Sequence, residues 1–271
     1  GEVVGNDPQG RKTGQGGEQG FLGFDRPAEF VEGIRPVDPT HGAVAVDLED
    51  NNHGFRLRLR HDGQAVSAVE VDSVRHPFGT CPEAVRPLQR IVGHRLADGV
   101  QALRERLVPG EHCTHMFDMA MLAVAHAGGA DECFEYDIAV HDETDAPARA
   151  EIRRDGELVH AWTVRARELV EPGALAGRPM MRGFHAWASQ AFAGDALEAA
   201  GALQRGFFVA QARRYTFEPP AQNPASADGM APGACYSYGA GVVERAFRSG
   251  GTVRDYTHAP ERLLRFEPPS P

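Results

Sequence analysis

The polar and apolar positions change period several times along the chain. In Phe55-Arg56-Leu57-Arg58-Leu59-Arg60 apolar and basic residues alternate, the period of a strand with one buried face. His61-Asp62-Gly63 follows, and Val66, Val69 and Val71 return as a second strand. An Asp-Gly pair between two such runs predicts a tight hairpin with both turn residues at positive φ. The period then lengthens. Val85, Leu88, Ile91 and Val92 recur at helical spacing behind Cys81-Pro82-Glu83-Ala84, with Gly93 where a helix would stop. Cys81 is therefore expected at or next to a helix N-cap. A short helix is expected over roughly Val100 to Leu107, broken by Pro109-Gly110.

The run Met116 to Ala127 is apolar nearly all round, which describes a buried helix, with Thr114 as a natural N-cap and Cys113 just outside it. Strands are expected at Tyr136–Val140, Ala148–Arg153 and Leu158–Val164, the last two joined by a turn at Asp155-Gly156. A long helical region is expected from Phe184 through Tyr215. Beyond it, Ala234 to Tyr238 reads as a strand or clasp and Val242 to Phe247 as a helical turn or two. The fold class is α+β: an antiparallel sheet with helices packed on one face, followed by a second hairpin-and-helix half. The expected divisions are a flexible arm at 1–23, a core with the Cys/His site at 24–130, a second half at 131–217, and a linker with a C-terminal clasp at 218–271.

Composition narrows the function classes. The 271 residues carry a formal net charge of -10, which argues against nucleic acid as a partner, because its phosphates need a basic face. Lys12 is the only lysine, so nearly all positive charge is arginine, a compositional bias and not a phosphate site. No apolar stretch reaches the ~20 residues of a membrane span. Gly1 to Gly20 holds no apolar segment that could serve as a secretory signal. Cys81, Cys113, Cys133 and Cys235 are too few for a disulfide scaffold in a chain this long, so a reducing, cytoplasmic setting is expected.

Two cysteines at separate helix starts are the most informative chemistry. A helix N-terminus favours thiolate, the form that attacks electrophiles and binds soft metals. Imidazoles stand nearby: His76 before Cys81, His112 and His115 flanking Cys113, and His53 after Asp50-Asn51-Asn52. His126, His160 and His185 lie in apolar stretches and read as structural histidines with satisfied rings. No Gly-rich nucleotide loop, His-Glu-x-x-His or EF-hand pattern is present.

Three segments carry a resemblance. Val46-Asp47-Leu48-Glu49-Asp50 through His53, Arg75-x-Pro77-x-x-Thr80-Cys81-Pro82, and Cys113-Thr114-His115-Met116-Phe117-Asp118 resemble the signatures of an uncharacterised bacterial family, a domain of unknown function. With Cys235-Tyr236 and Arg254-Asp255, that likeness covers roughly residues 30 to 265 and implies no established activity. The order of hairpin, loop cysteine, helix, and His-Cys before a buried helix is also similar to the scaffold proteins of iron–sulfur cluster assembly. That likeness implies convergence of Cys81, His112 and Cys113 with a residue at the first strand, where this chain offers His53, Asn52 or Asp50 instead of a third cysteine.

The resulting expectation is one zinc or iron ion held by Cys81, Cys113, His53 and His112. His115 and Asp118, three apart on one helix, are the candidate catalytic pair, Asp118 orienting an imidazole or acting as a base. The expected activity is that of a metal-dependent lyase, hydrolase or isomerase. Its small-molecule substrate would be hydrophobic, aromatic or acyl, walled by Trp162, Trp187, Phe192, Phe207, Phe208 and Tyr236. The alternatives are a carrier or scaffold for sulfur or a metal cluster, and a non-catalytic domain in which the cysteines merely pack.

Overall fold

The computed structural model describes residues 28–38, 42–129, 133–214 and 224–266. The arm expected at 1–23 lies outside the described residues, as do 218–223 of the expected linker and the chain end at 267–271.

The fold is α+β. Its frame is an eight-stranded sheet in the order β4-β3-β2-β1-β5-β6-β7-β8, with every neighbouring pair antiparallel. The strands are β1 (Ala28–Asp38), β2 (Ala43–Asp50), β3 (Gly54–His61), β4 (Val66–Arg75), β5 (Phe134–Val140), β6 (Ala148–Arg154), β7 (Glu157–Arg165) and β8 (Glu168–Glu171). β1 pairs with β2 on one side and β5 on the other, so the two halves expected at 24–130 and 131–217 share one sheet.

The alternation seen in the sequence sets which face is wet. Phe55, Leu57 and Leu59 of β3 are buried while Arg56, Arg58 and Arg60 are exposed. Val44, Val46 and Leu48 continue the buried row on β2, opposite Leu59, Leu57 and Phe55 in register. Two helices cover that face. α3 (Thr114–His126) packs on β2 and β3, and α5 (Gly194–Ala210) packs on β5, β6 and β7. Smaller helices fill in around them: α1 (Val85–Leu88), α2 (Gly99–Arg106) against α3, and α4 (Phe184–Ala191) against α5.

The differences from expectation are local. The Asp155-Gly156 turn has both residues at positive φ, 50° and 85°, as its hairpin requires. At the first hairpin only Gly63 does so, at 85°. There the Asp62 carboxylate accepts hydrogen bonds from Gln64 N and Ala65 N, and this side-chain-built turn replaces the two-residue one. The helical region from Phe184 is broken at Phe192 and Ala193, both extended. Cys113, not Thr114, is the N-cap of α3. The expected clasp at Ala234 to Tyr238 forms a 3-10 turn, Tyr236–Tyr238, in place of a strand.

Candidate metal centre

β2 ends at Asp50 and β3 begins at Gly54, and the residues between them make a turn that the Asp50 carboxylate organises. Its Oδ1 accepts hydrogen bonds from Asn52 N (2.6 Å) and His53 N (2.7 Å), while Asp50 N donates to His53 O (2.9 Å). This is the local chemistry that Asp and Asn offer at strand ends. It folds the His53 ring back onto the same carboxylate, with Nδ1 at 3.1 Å from both oxygens.

The third member comes from 62 residues further along the chain than His53 (115 − 53). His115 is the second residue of α3, and the packing of α3 on β2 and β3 brings its Nε2 to 3.1 Å from Asp50 Oδ2. The two imidazoles face one another at a centroid distance of 4.0 Å, with Phe55 behind both at 5.7 and 6.1 Å. Donor atoms of Asp50, His53 and His115 all lie within 4.8 Å of one another, the one such group of three or more His, Cys, Asp or Glu side chains among the described residues. Asp50 is fully buried and His115 nearly so, whereas the His53 side chain keeps 15% of its surface in solvent.

The electrostatics suit cation ligation. Burial would raise the Asp50 pKa, yet the net result is well below the ordinary carboxylate value, because both histidines face the carboxylate and hydrogen-bond to it. For His115 burial dominates and the charge of His53 adds to it, lowering the pKa to about 4. At neutral pH the site therefore presents an ionised carboxylate beside a neutral imidazole, the protonation states that a cation needs.

The turn is anchored from outside. Arg75, 1% exposed, points its guanidinium into the turn, where Nη2 faces Asp50 O (2.6 Å), His53 O (3.0 Å) and Glu49 Oε1 (3.1 Å). Its Nη1 donates to Thr252 O (2.7 Å), and Tyr256 donates its hydroxyl proton to Glu49 Oε1 (2.9 Å). Asn51 Nδ2 donates to Arg254 O, and Arg254 N donates to Asn51 O. The segment from Thr252 to Tyr256, beyond the Ala234 to Tyr238 stretch expected as a clasp, packs on the turn that carries Asp50 and His53.

Of the residues expected at the site, the structure brings His53 and His115 together and adds Asp50 as their hub. The cysteines stand elsewhere. Cys81 packs with Phe78 and Tyr238, its Sγ 3.7 Å from Ser237 Oγ, and burial pushes its thiol up to about 11. Cys113 lies in the main core, where burial, and then the neighbouring thiols of Cys81 and Cys235, raise its own thiol still further above the ordinary value. The helix-dipole argument for thiolates loses to desolvation, since both sulfurs are more than nine-tenths buried. His112 is fully buried beside Phe117, and both its ring nitrogens lack hydrogen-bond partners among the described residues. Asp118 pairs with Arg205 of α5, and the donor set around Asp50 does not include it.

Other expectations resolve in the core. His126 pairs with Glu198 (2.8 Å) and His160 meets Ala196 O (2.7 Å), as structural histidines should. His185 instead lines a cavity of about 380 Å³ with Gln101, Arg104, Phe117, Asp118 and Arg205. Trp162, Trp187 and Phe207 are buried core side chains, the two indoles 6.2 Å apart, and none of the six aromatics expected as walls borders that cavity.

Comparison with known proteins places the site inside one recognisable segment. Residues 34–129 match a family described as protein of unknown function (DUF2889). This DUF2889-like segment contains Asp50, His53 and His115, together with Arg75, which supports their turn. No curated protein and no solved structure matches the chain. Among the described residues no helix is long and apolar enough to cross a membrane.

Proposed function

We propose that Asp50, His53 and His115 hold one divalent cation, zinc or iron, and that the chain is a metal-dependent enzyme of the lyase, hydrolase or isomerase type acting on a small molecule. The observation that carries this reading is the convergence of two imidazoles and one carboxylate within 4.8 Å at the edge of the core. Two nitrogens and one oxygen form a donor set that both zinc and non-haem iron accept, and three protein ligands leave positions open. A bound cation would supply Lewis acidity or an activated water.

The protein's own contributions follow from the contacts. Asp50 holds both imidazoles to one side of its carboxylate. Arg75 fixes the carbonyls of Asp50 and His53, so the turn cannot open without breaking a buried ion pair with Glu49. His53, the partly exposed member, marks the side from which a ligand would enter. The buried thiols with raised pKa weigh against cargo transfer at Cys81 and Cys113, since a carrier needs an accessible thiolate.

The test is metal analysis of the full chain after equilibration with zinc or ferrous iron and removal of excess by gel filtration. The wild type should retain about one ion per chain, and Asp50→Asn and His115→Ala should each lose it. Cys113→Ser should keep it. Retention by both triad variants, or loss in Cys113→Ser alone, would contradict the proposal.

A further inference from the structure

The cavity lined by α2, α3, α4 and α5 has a chemistry of its own. α3 turns His115 toward Asp50, while Thr114, Phe117 and Asp118 line the cavity beside Arg104 and Glu105 of α2, His185 of α4 and Arg205 of α5. Its volume of about 380 Å³ is within the range of small-molecule sites.

The charges there are unevenly matched. Arg205 pairs with Asp118, and Glu105 accepts a hydrogen bond from Gln101 (2.9 Å). Arg104 has neither an ion pair nor a hydrogen bond among the described residues; its guanidinium sits 5.8 Å from the centre of the Phe117 ring. Burial and the like charge of Arg205 both work against the Arg104 cation, and Asp118 offsets them in part. The same two arginines and burial keep His185 below its ordinary pKa. A half-buried guanidinium whose nearby carboxylate is paired to another arginine is costly to keep, and its planar fork suits an oxyanion presented edge-on.

We infer that this cavity binds a small organic carboxylate, its anionic end bridging Arg104 and Arg205 and its apolar body lying against Phe117. Binding displaces Asp118 from part of its contact with Arg205, so Asp118 acts as a stand-in for the ligand carboxylate. The inference goes beyond the metal reading and does not depend on it: the two sites share no residue, although Arg205 of the cavity also acts electrostatically on His115.

Benzoate is the probe, titrated into the metal-free full chain and followed by calorimetry, with benzyl alcohol and inorganic phosphate as parallel arms. Benzoate should bind, and benzyl alcohol, which lacks the charge, should bind at least roughly tenfold more weakly. Arg104→Gln should weaken benzoate by roughly tenfold or more, while Asp118→Asn, which removes the internal competitor, should tighten it by a few fold. Arg104 is half-buried and Asp118 carries the Arg205 ion pair, so folding of both variants is checked by an unchanged circular dichroism spectrum. Equal binding of benzyl alcohol, undiminished binding in Arg104→Gln, or no benzoate binding at millimolar concentration would overturn the inference. Phosphate bound in preference to benzoate would overturn the assignment to a carboxylate. Asp50→Asn, which removes metal retention without touching the cavity lining, leaves these results unchanged, so failure of one reading is distinguishable from failure of the other.

Discussion

At the scale of single residues, the site depends on how burial and partners divide the protonation states. His115 titrates at about 4 in the folded chain against an ordinary value of 6.5, so between those values the unfolded chain binds more protons. A depressed folded pKa gives stability that is complete above pH 6.5 and lost as the pH falls toward 4. Urea unfolding of the metal-free chain should therefore show a midpoint that drops steadily between pH 6.5 and 4, and His115→Gln should flatten that limb. A midpoint indifferent to pH across that range would mean that the imidazole is not held neutral. Cys81 shows the opposite sign: its folded pKa of about 11 exceeds the ordinary 9.0, so its contribution persists below pH 9 and is lost as the pH rises toward 11. Iodoacetamide at pH 8 should accordingly modify Cys81 far more slowly in the folded chain than in urea. Equal rates read out by mass spectrometry would place that thiol at the surface.

Among elements, the packing of α5 on the sheet offers a sharp test. A methyl group added at Gly206 would stand 2.5 Å from Ile138 Cγ2 of β5, so helix and strand cannot keep their present separation. Gly206→Ala should destabilise the chain by ~1–3 kcal/mol in chemical denaturation, despite the higher helix propensity of alanine. A stabilised variant would mean that the contact is looser than described.

The same scale shows what the sequence discloses. Alternation in β3 and β4, all-round apolarity in α3 and the Asp-Gly pair before β7 are local patterns, and each produced its element within a residue or two. Val44, Val46 and Leu48 carry the same alternation and form the buried row of β2. The site was half legible. His53 and His115 stand out as imidazoles at an element's start, and Asp50 is one of three candidates beside the strand, yet the choice among them arises from a turn and from helix packing across the sheet. The cysteines misled for a physical reason. A helix start favours thiolate only where solvent can reach it, and burial is a property of the whole fold.

For the whole molecule, the segment from Thr252 to Tyr256 couples the chain's end to the candidate metal centre. Arg75 bridges β4, the Asp50 turn and Thr252, and Glu49 receives Tyr256 and the backbone N–H of Phe266. Arg75→Met removes one partner of a buried ion pair and leaves Glu49 without its cation. It should cost about 3–5 kcal/mol by chemical denaturation and weaken metal retention as well, although Arg75 contributes no ligand. Replacing Glu49 by Gln in the same chain should recover part of the loss, since the uncompensated charge goes with it. Because β1 hydrogen-bonds to both β2 and β5, the two halves should also unfold in one calorimetric transition.

The most direct test of the central claim is anomalous diffraction from crystals of the full chain equilibrated with zinc, recorded on both sides of the metal's absorption edge. The account predicts one strong peak about 2.0–2.2 Å from an oxygen of Asp50 and from a ring nitrogen each of His53 and His115. A peak between the sulfurs of Cys81 and Cys113, or none near Asp50 at saturating zinc, would contradict it.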